Sequence, residues 1–111
     1  MKILFVHQNF PGQFLHLAPE LASRGHEVQV LTDAVNPRRF SFPTTRYTFK
    51  AEAVDPAATR LGRNFTTMSD RAVIVARTAV RMRAEGYVPD VIFGHSGWGE
   101  TLFLKLSLIH I

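Results

Sequence analysis

A continuous apolar run, Ile3 to Val6, closed by His7-Gln8-Asn9, constrains the fold of this chain more than any other feature. Apolar residues without polar alternation need cover on both sides, which is the situation of a strand inside a parallel sheet. Parallel neighbours require a crossover, and the next segment has the form of one. Phe14, Leu17, Ala18, Leu21 and Ala22 recur at i, i+3, i+4, i+7 and i+8, a single helical stripe, with Arg24 in the last turn and Gly25 as its stop. Pro19 lies inside that stripe and predicts a kink or a late start to the regular helix. Val28 to Thr32 then reads as a second strand, so strand, helix and strand fit within about thirty residues, the length of a βαβ unit.

The remainder extends the same plan. Residues 34–45 carry Asn36-Pro37-Arg38-Arg39 and Phe42-Pro43 and read as loop; Tyr47 to Ala51 reads as a third strand; Glu52 to Asn64 reads as loop with at most one helical turn. A long helix is expected from Thr66 or Thr67, where Thr67 and Asp70 have capping-box spacing, to Glu85-Gly86. Its apolar positions Phe65, Met68, Ala72, Val75, Ala76 and Ala79 share one face, with Asp70, Arg77, Arg81 and, anomalously, Ile74 opposite. Val91 to Phe93 is the fourth strand, and a last helix is expected from about Glu100. The pattern predicts an α/β, Rossmann-like doubly wound parallel sheet in strand order 3-2-1-4, with its functional edge at the strand C-termini.

Composition removes several function classes. The chain has 111 residues, 46% hydrophobic and 20% charged, which suits one folded domain and not a disordered segment. The absence of cysteine excludes disulfides, thiolate metal sites and Cys nucleophiles. No apolar run approaches the roughly 18 residues that span a bilayer, and the opening, with one cation and four apolar residues, is no signal peptide. A net charge of +4, with 12 of 13 cations before residue 84, favours anionic partners.

Two turns at the predicted functional edge carry candidate chemistry. Gly94-His95-Ser96-Gly97-Trp98-Gly99-Glu100-Thr101 has the spacing of the phosphate-binding loop G-x-x-x-x-G-K-[ST] except at Glu100. A carboxylate there repels the β- and γ-phosphates by several kcal/mol, so a P-loop is excluded. Either the glycines only permit a tight turn into a helix, or the turn also presents a helix N-terminus and His95 to a ligand. The turn after the first strand lacks G-x-G-x-x-G, and Asp33 at the end of the second strand stands without that fingerprint. Gly12 either shapes this turn or brings backbone N–H groups near an anion.

Among five histidines, His7 and His95 end two strands and are expected, with Gly12, to line one cleft; no H-x-x-x-H or carboxylate spacing accompanies them, and no metal site is read. His16 and His26 read as helix surface and helix cap, and His110 lies in the tail. Ser96 lacks a G-x-S-x-G frame. Arg71, Arg77, Arg81 and Arg83 could meet phosphate or anionic lipid, but a solvated helix face is the expectation.

These blocks together, Met1 to Phe14, Leu17-Ala18-Pro19, Leu21-Ala22, Arg24 to Val28, and Pro89 to His95 with Gly97-Trp98-Gly99-Glu100-Thr101, resemble the N-terminal domain of family 4 retaining glycosyltransferases of the GT-B fold. The resemblance covers residues 1 to about 105; residues 106–111 read as an atypical tail, as of a truncation. It implies an enzyme of two Rossmann-like domains, the first shaping the acceptor side and the second holding most of a nucleotide-sugar donor. It implies substrate contacts at His7, Gly12, Gln13, Gly97 and Glu100. His95 would act at the reacting sugar by hydrogen bonding and charge stabilisation, with no cofactor or metal. The partners implied are a nucleotide-sugar donor, a sugar or lipid-linked acceptor and the missing C-terminal domain. Location would be cytoplasmic with at most weak contact at the inner membrane face, and no nucleic acid is expected. Two other classes remain open on the residues alone: a stand-alone flavodoxin-like domain binding an anionic small molecule, and a basic domain docking on membrane or nucleic acid.

Overall fold

The computed structural model describes residues 1–49, 59–95 and Gly99. In chain order these form strand β1 (Lys2–Val6), a 3-10 turn (Gly12–Phe14), helix α1 (Leu17–Ser23), strands β2 (Glu27–Asp33) and β3 (Thr44–Tyr47), helix α2 (Arg60–Ala84) and strand β4 (Val91–Gly94). The strands form one parallel sheet in the order β3-β2-β1-β4, as predicted. The reason is burial, since Ile3, Leu4, Phe5 and Val6 are each no more than 3% exposed, a condition met only by a strand with neighbours on both edges and cover on both faces.

Alternation along β1 assigns its side chains to different helices. Ile3 and Phe5 pack with Val28, Val30, Phe14 and Ala18 on the α1 face, whereas Leu4 and Val6 pack with Leu31, Val75, Ala79 and Met82 on the α2 face. Helices thus cover both faces, and the fold is α/β and Rossmann-like. Both helices end in the same way. Gly25 and Gly86 adopt φ of +90° and +96°, and the N–H groups of Gly25 and His26 donate to Ala22 and Leu21, as those of Gly86 and Tyr87 do to Arg83 and Met82. These paired bonds turn the chain back toward β2 and β4. The Asp90 carboxylate then accepts the Lys2 N–H at 2.7 Å while its own N–H donates to the Lys2 carbonyl at 2.7 Å, which aligns β4 with β1.

The late start expected of the first helix is observed, and two other boundaries differ from the sequence reading. Regular helix begins at Leu17, after the 3-10 turn, so Pro19 falls in the first turn, where its missing N–H has no intrahelical acceptor to lose. The third strand runs Thr44–Tyr47 rather than Tyr47 to Ala51. The register of β2 selects it, with Val30 N–H donating to Pro43 at 2.9 Å and Ala34 N–H to Tyr47 at 2.8 Å. A strand at the edge of the sheet needs little apolar content, so Thr44 and Thr45 looked like loop.

The long helix starts at Arg60, six or seven residues before the predicted start, because Thr59 caps it by accepting the Gly62 N–H at 3.0 Å. Thr67 and Asp70 therefore lie inside the helix, and no capping box forms there. The added turns are solvent-facing, with Leu61 80% and Phe65 69% exposed, so Phe65 and Met68 leave the predicted buried stripe and burial begins at Ala72. Ile74 is half-buried against the α2-face core, which resolves its anomalous position. Residues 50–58 and the helix expected from Glu100 lie outside the described residues. No helix among the described residues is long and apolar enough to cross a membrane.

Candidate functional site

The C-terminal edge of the sheet gathers two sets of polar groups. On the α1 face, β1 ends in His7, whose backbone N–H still donates to Leu31 at 3.1 Å and whose ring is held beneath the surface at 8% exposure. The Asn9 N–H donates to Nδ1 at 3.0 Å, so neutral His7 carries its proton on Nε2. That edge of the ring faces Gly12, which adopts φ of +46° and where a Cβ would come within 2.6 Å of Nε2. Glycine is needed at this position for both conformation and space. The two readings of Gly12 thus gain a third element: it makes room for an imidazole.

The His95 ring lies beside His7, centroids 5.8 Å apart, and Phe14 meets His7 edge-on at 6.0 Å. The predicted convergence of His7, Gly12 and His95 is therefore present. Burial, and then the neighbouring His95 charge, hold the His7 pKa below its usual value, so His7 is neutral at pH 7. A neutral imidazole at a sheet edge suits hydrogen bonding to a hydroxyl or phosphate oxygen. No group of three His, Asp or Glu side chains able to hold a metal ion exists among the described residues.

On the α2 face, Asp33 ends β2 and forms an ion pair with Arg71 at 3.1 Å, the two side chains 6% and 13% exposed. Arg71 also donates to the Tyr47 hydroxyl at 3.2 Å and lies 4.4 Å from the centroid of the Phe49 ring. The other Asp33 oxygen accepts the Val35 N–H at 3.0 Å. Buried Asn36 ties Phe10 to Thr32, donating to the Phe10 carbonyl at 2.9 Å and the Thr32 hydroxyl at 3.1 Å. Arg71 thus corrects the sequence reading, which placed it on a solvated face. The available signal was its spacing: Arg71, Val75, Thr78 and Met82 follow at i, i+4, i+7 and i+11, the buried stripe of α2. Arg77 and Arg81 do face solvent.

The sequence profile of the glycosyl transferase family 4 group matches residues 24–108, well over half of the chain. The chain belongs to the glycosyl transferase family 4 group. Comparison with curated proteins and with solved structures finds no match. The family 4 match takes in β2, β3, α2, β4 and His95, while the loop with His7 and Gly12 precedes it.

Within this family 4 domain the other sequence candidates divide. Gln13 is exposed in the 3-10 turn, next to Gly12. Gly97 and Glu100 lie outside the described residues. Gly99, at φ of +83°, sits so closely on the Met68 carbonyl of α2 that a Cβ would come within 2.9 Å of the carbonyl carbon. At this one position of the glycine-rich turn, glycine is required by close approach of two backbones.

Proposed function

We propose that this chain forms the acceptor side of the catalytic cleft in a glycosyltransferase that moves a sugar from a nucleotide-sugar donor with retention of configuration. The observation that carries the reading is the pairing of His7 and His95 at the C-terminal edge of a parallel sheet in a family 4 chain. In this reading residues 1–105 are the amino-terminal domain of a GT-B enzyme, acting without metal in the cytoplasm. His95 donates a hydrogen bond to the transferring sugar and offsets charge in the transition state. His7, Gly12 and Gln13 contact substrate from the first loop, and Gly97 and Glu100 do so from the last. Closing on the donor requires a second domain, so the 111-residue chain alone transfers no sugar and binds nucleotide sugars weakly.

Two measurements test this. Calorimetric titration of the 111-residue chain with UDP- and GDP-sugars should show no binding tighter than about millimolar, a free energy of roughly −4 kcal/mol. Micromolar affinity with turnover would place the donor site within these residues and sink the division of labour. In an enzyme containing this chain and the second domain, His95→Ala should lower kcat about a hundredfold or more, as removal of a transition-state donor does elsewhere. An unchanged kcat would remove His95 from the reaction.

A further inference from the structure

The α1 side of the first loop holds a recess of about 270 Å³ that none of the proposed site residues lines. Its walls are aromatic. Phe10 stands edge-on to Phe40, centroids 4.9 Å apart at 85°, and to Phe42 at 6.4 Å and 83°, while Phe14 and Leu15 close the side toward α1. The outer wall is held in place by charged groups. Arg46 lies 5.9 Å from the Phe40 centroid and donates to the carbonyls of Asn36 and Arg38 at 2.6 Å each, and Arg38 donates to the Asn9 side chain at 2.6 Å. Walls fixed before a ligand arrives lose little freedom on binding.

Size and charge narrow the occupant. An apolar cavity of about 150 Å³ accepts benzene, so this recess has room for one ring with a substituent, and it is too small for the chains of a diacyl lipid. Arg39 stands exposed at the rim, and neither ion pair among the described residues involves it. An aromatic box is also the form that binds quaternary ammonium. Arg38, Arg39 and Arg46 around this one oppose a cation and favour an anion.

We propose that the recess binds the ring of a small anionic molecule, whose carboxylate or phosphate pairs with Arg39. Resting on the glycosyltransferase reading, that molecule is the acceptor, because the Phe14 ring touches both the recess and His7. The test titrates the 15N-labelled 111-residue chain with phenyl phosphate, phenol, inorganic phosphate and benzyltrimethylammonium, following amide shifts. Phenyl phosphate should shift residues 10–15 and 39–42 and bind at least about tenfold tighter than phenol or inorganic phosphate, a difference of ~1.4 kcal/mol. Arg39→Glu should weaken phenyl phosphate about tenfold and leave phenol unchanged. Leu15→Trp should fill the recess and remove both. Leu15 and Arg39 are solvent-exposed, so neither substitution threatens folding, and the dispersion of the amide spectrum verifies this. Equal binding of phosphate with and without the ring, preference for the cation, or indifference to Arg39→Glu would overturn the proposal. Because the readout involves no turnover, its failure leaves the glycosyltransferase reading standing, and failure of sugar transfer leaves the recess standing.

Discussion

The two faces of the sheet are closed by different means. Over the α1 face a helix of only seven residues is supplemented by rings, with Phe5 in contact with Phe93 at 5.2 Å, Phe14 at 5.0 Å and Phe10 at 5.9 Å. Over the α2 face a 25-residue helix brings small side chains, Ala72, Val75 and Ala79, directly onto the strands. The recess on the α1 face is lined by the rings of Phe10, Phe14, Phe40 and Phe42, whereas the one on the α2 face is lined by Arg46, Arg77, Thr78 and Arg81. The polar ends of the two faces differ as well. Asp33 and Arg71 satisfy one another, whereas His7 turns its Nε2 edge toward Gly12 and lies beside the His95 ring. A satisfied buried pair holds structure.

The sharpest way to break this comparison is to empty each face in turn. Phe5→Ala should cost about 3–5 kcal/mol in urea denaturation, because one ring touches three others. Val75→Ala should cost about 2 kcal/mol or less. Equal losses would show that the aromatic contacts carry no special weight. Next in size, Arg71→Ala should destabilise by about 3 kcal/mol, because it strands the Asp33 carboxylate under cover. A loss no greater than that of Arg77→Ala would return Arg71 to the solvated face.

Gly12→Ala should cost about 2 kcal/mol from left-handed strain and collision with His7. Adding His7→Ala should recover part of that cost, and a purely additive double variant would separate the glycine from the imidazole.

A smaller effect concerns pH. The folded-state pKa of His7 lies below its ordinary value of 6.5, so above that pH both states are neutral and the stability is full. As pH falls below about 6.5, the unfolded chain takes up the proton first and stability declines until the folded pKa is passed. His7→Gln should flatten that decline, read as the denaturation midpoint between pH 7 and 5. An unaltered slope would assign the pH dependence elsewhere. Smallest of all, Thr59→Ala should cost no more than about 1 kcal/mol, since the cap holds turns of α2 that already face solvent.

The sequence by itself determined the α/β class, the strand order with β1 inside, and the glycine stops at Gly25 and Gly86, because continuous apolar runs, helical periodicity and positive-φ caps are local properties of the chain. It also brought His7 and His95 to one edge, since topology alone places the ends of adjacent parallel strands together. The tertiary structure decided what depends on a particular neighbour. The start of β3 followed the register of β2, and the start of α2 followed a single hydroxyl at Thr59. Arg71 became structural only because α2 lays it over Asp33, 38 residues earlier, and Gly12 leaves the space that the His7 ring occupies. Contacts between distant residues carry no periodic trace in the chain, and where charge and shape must meet across the fold, only the assembled fold reveals the partner.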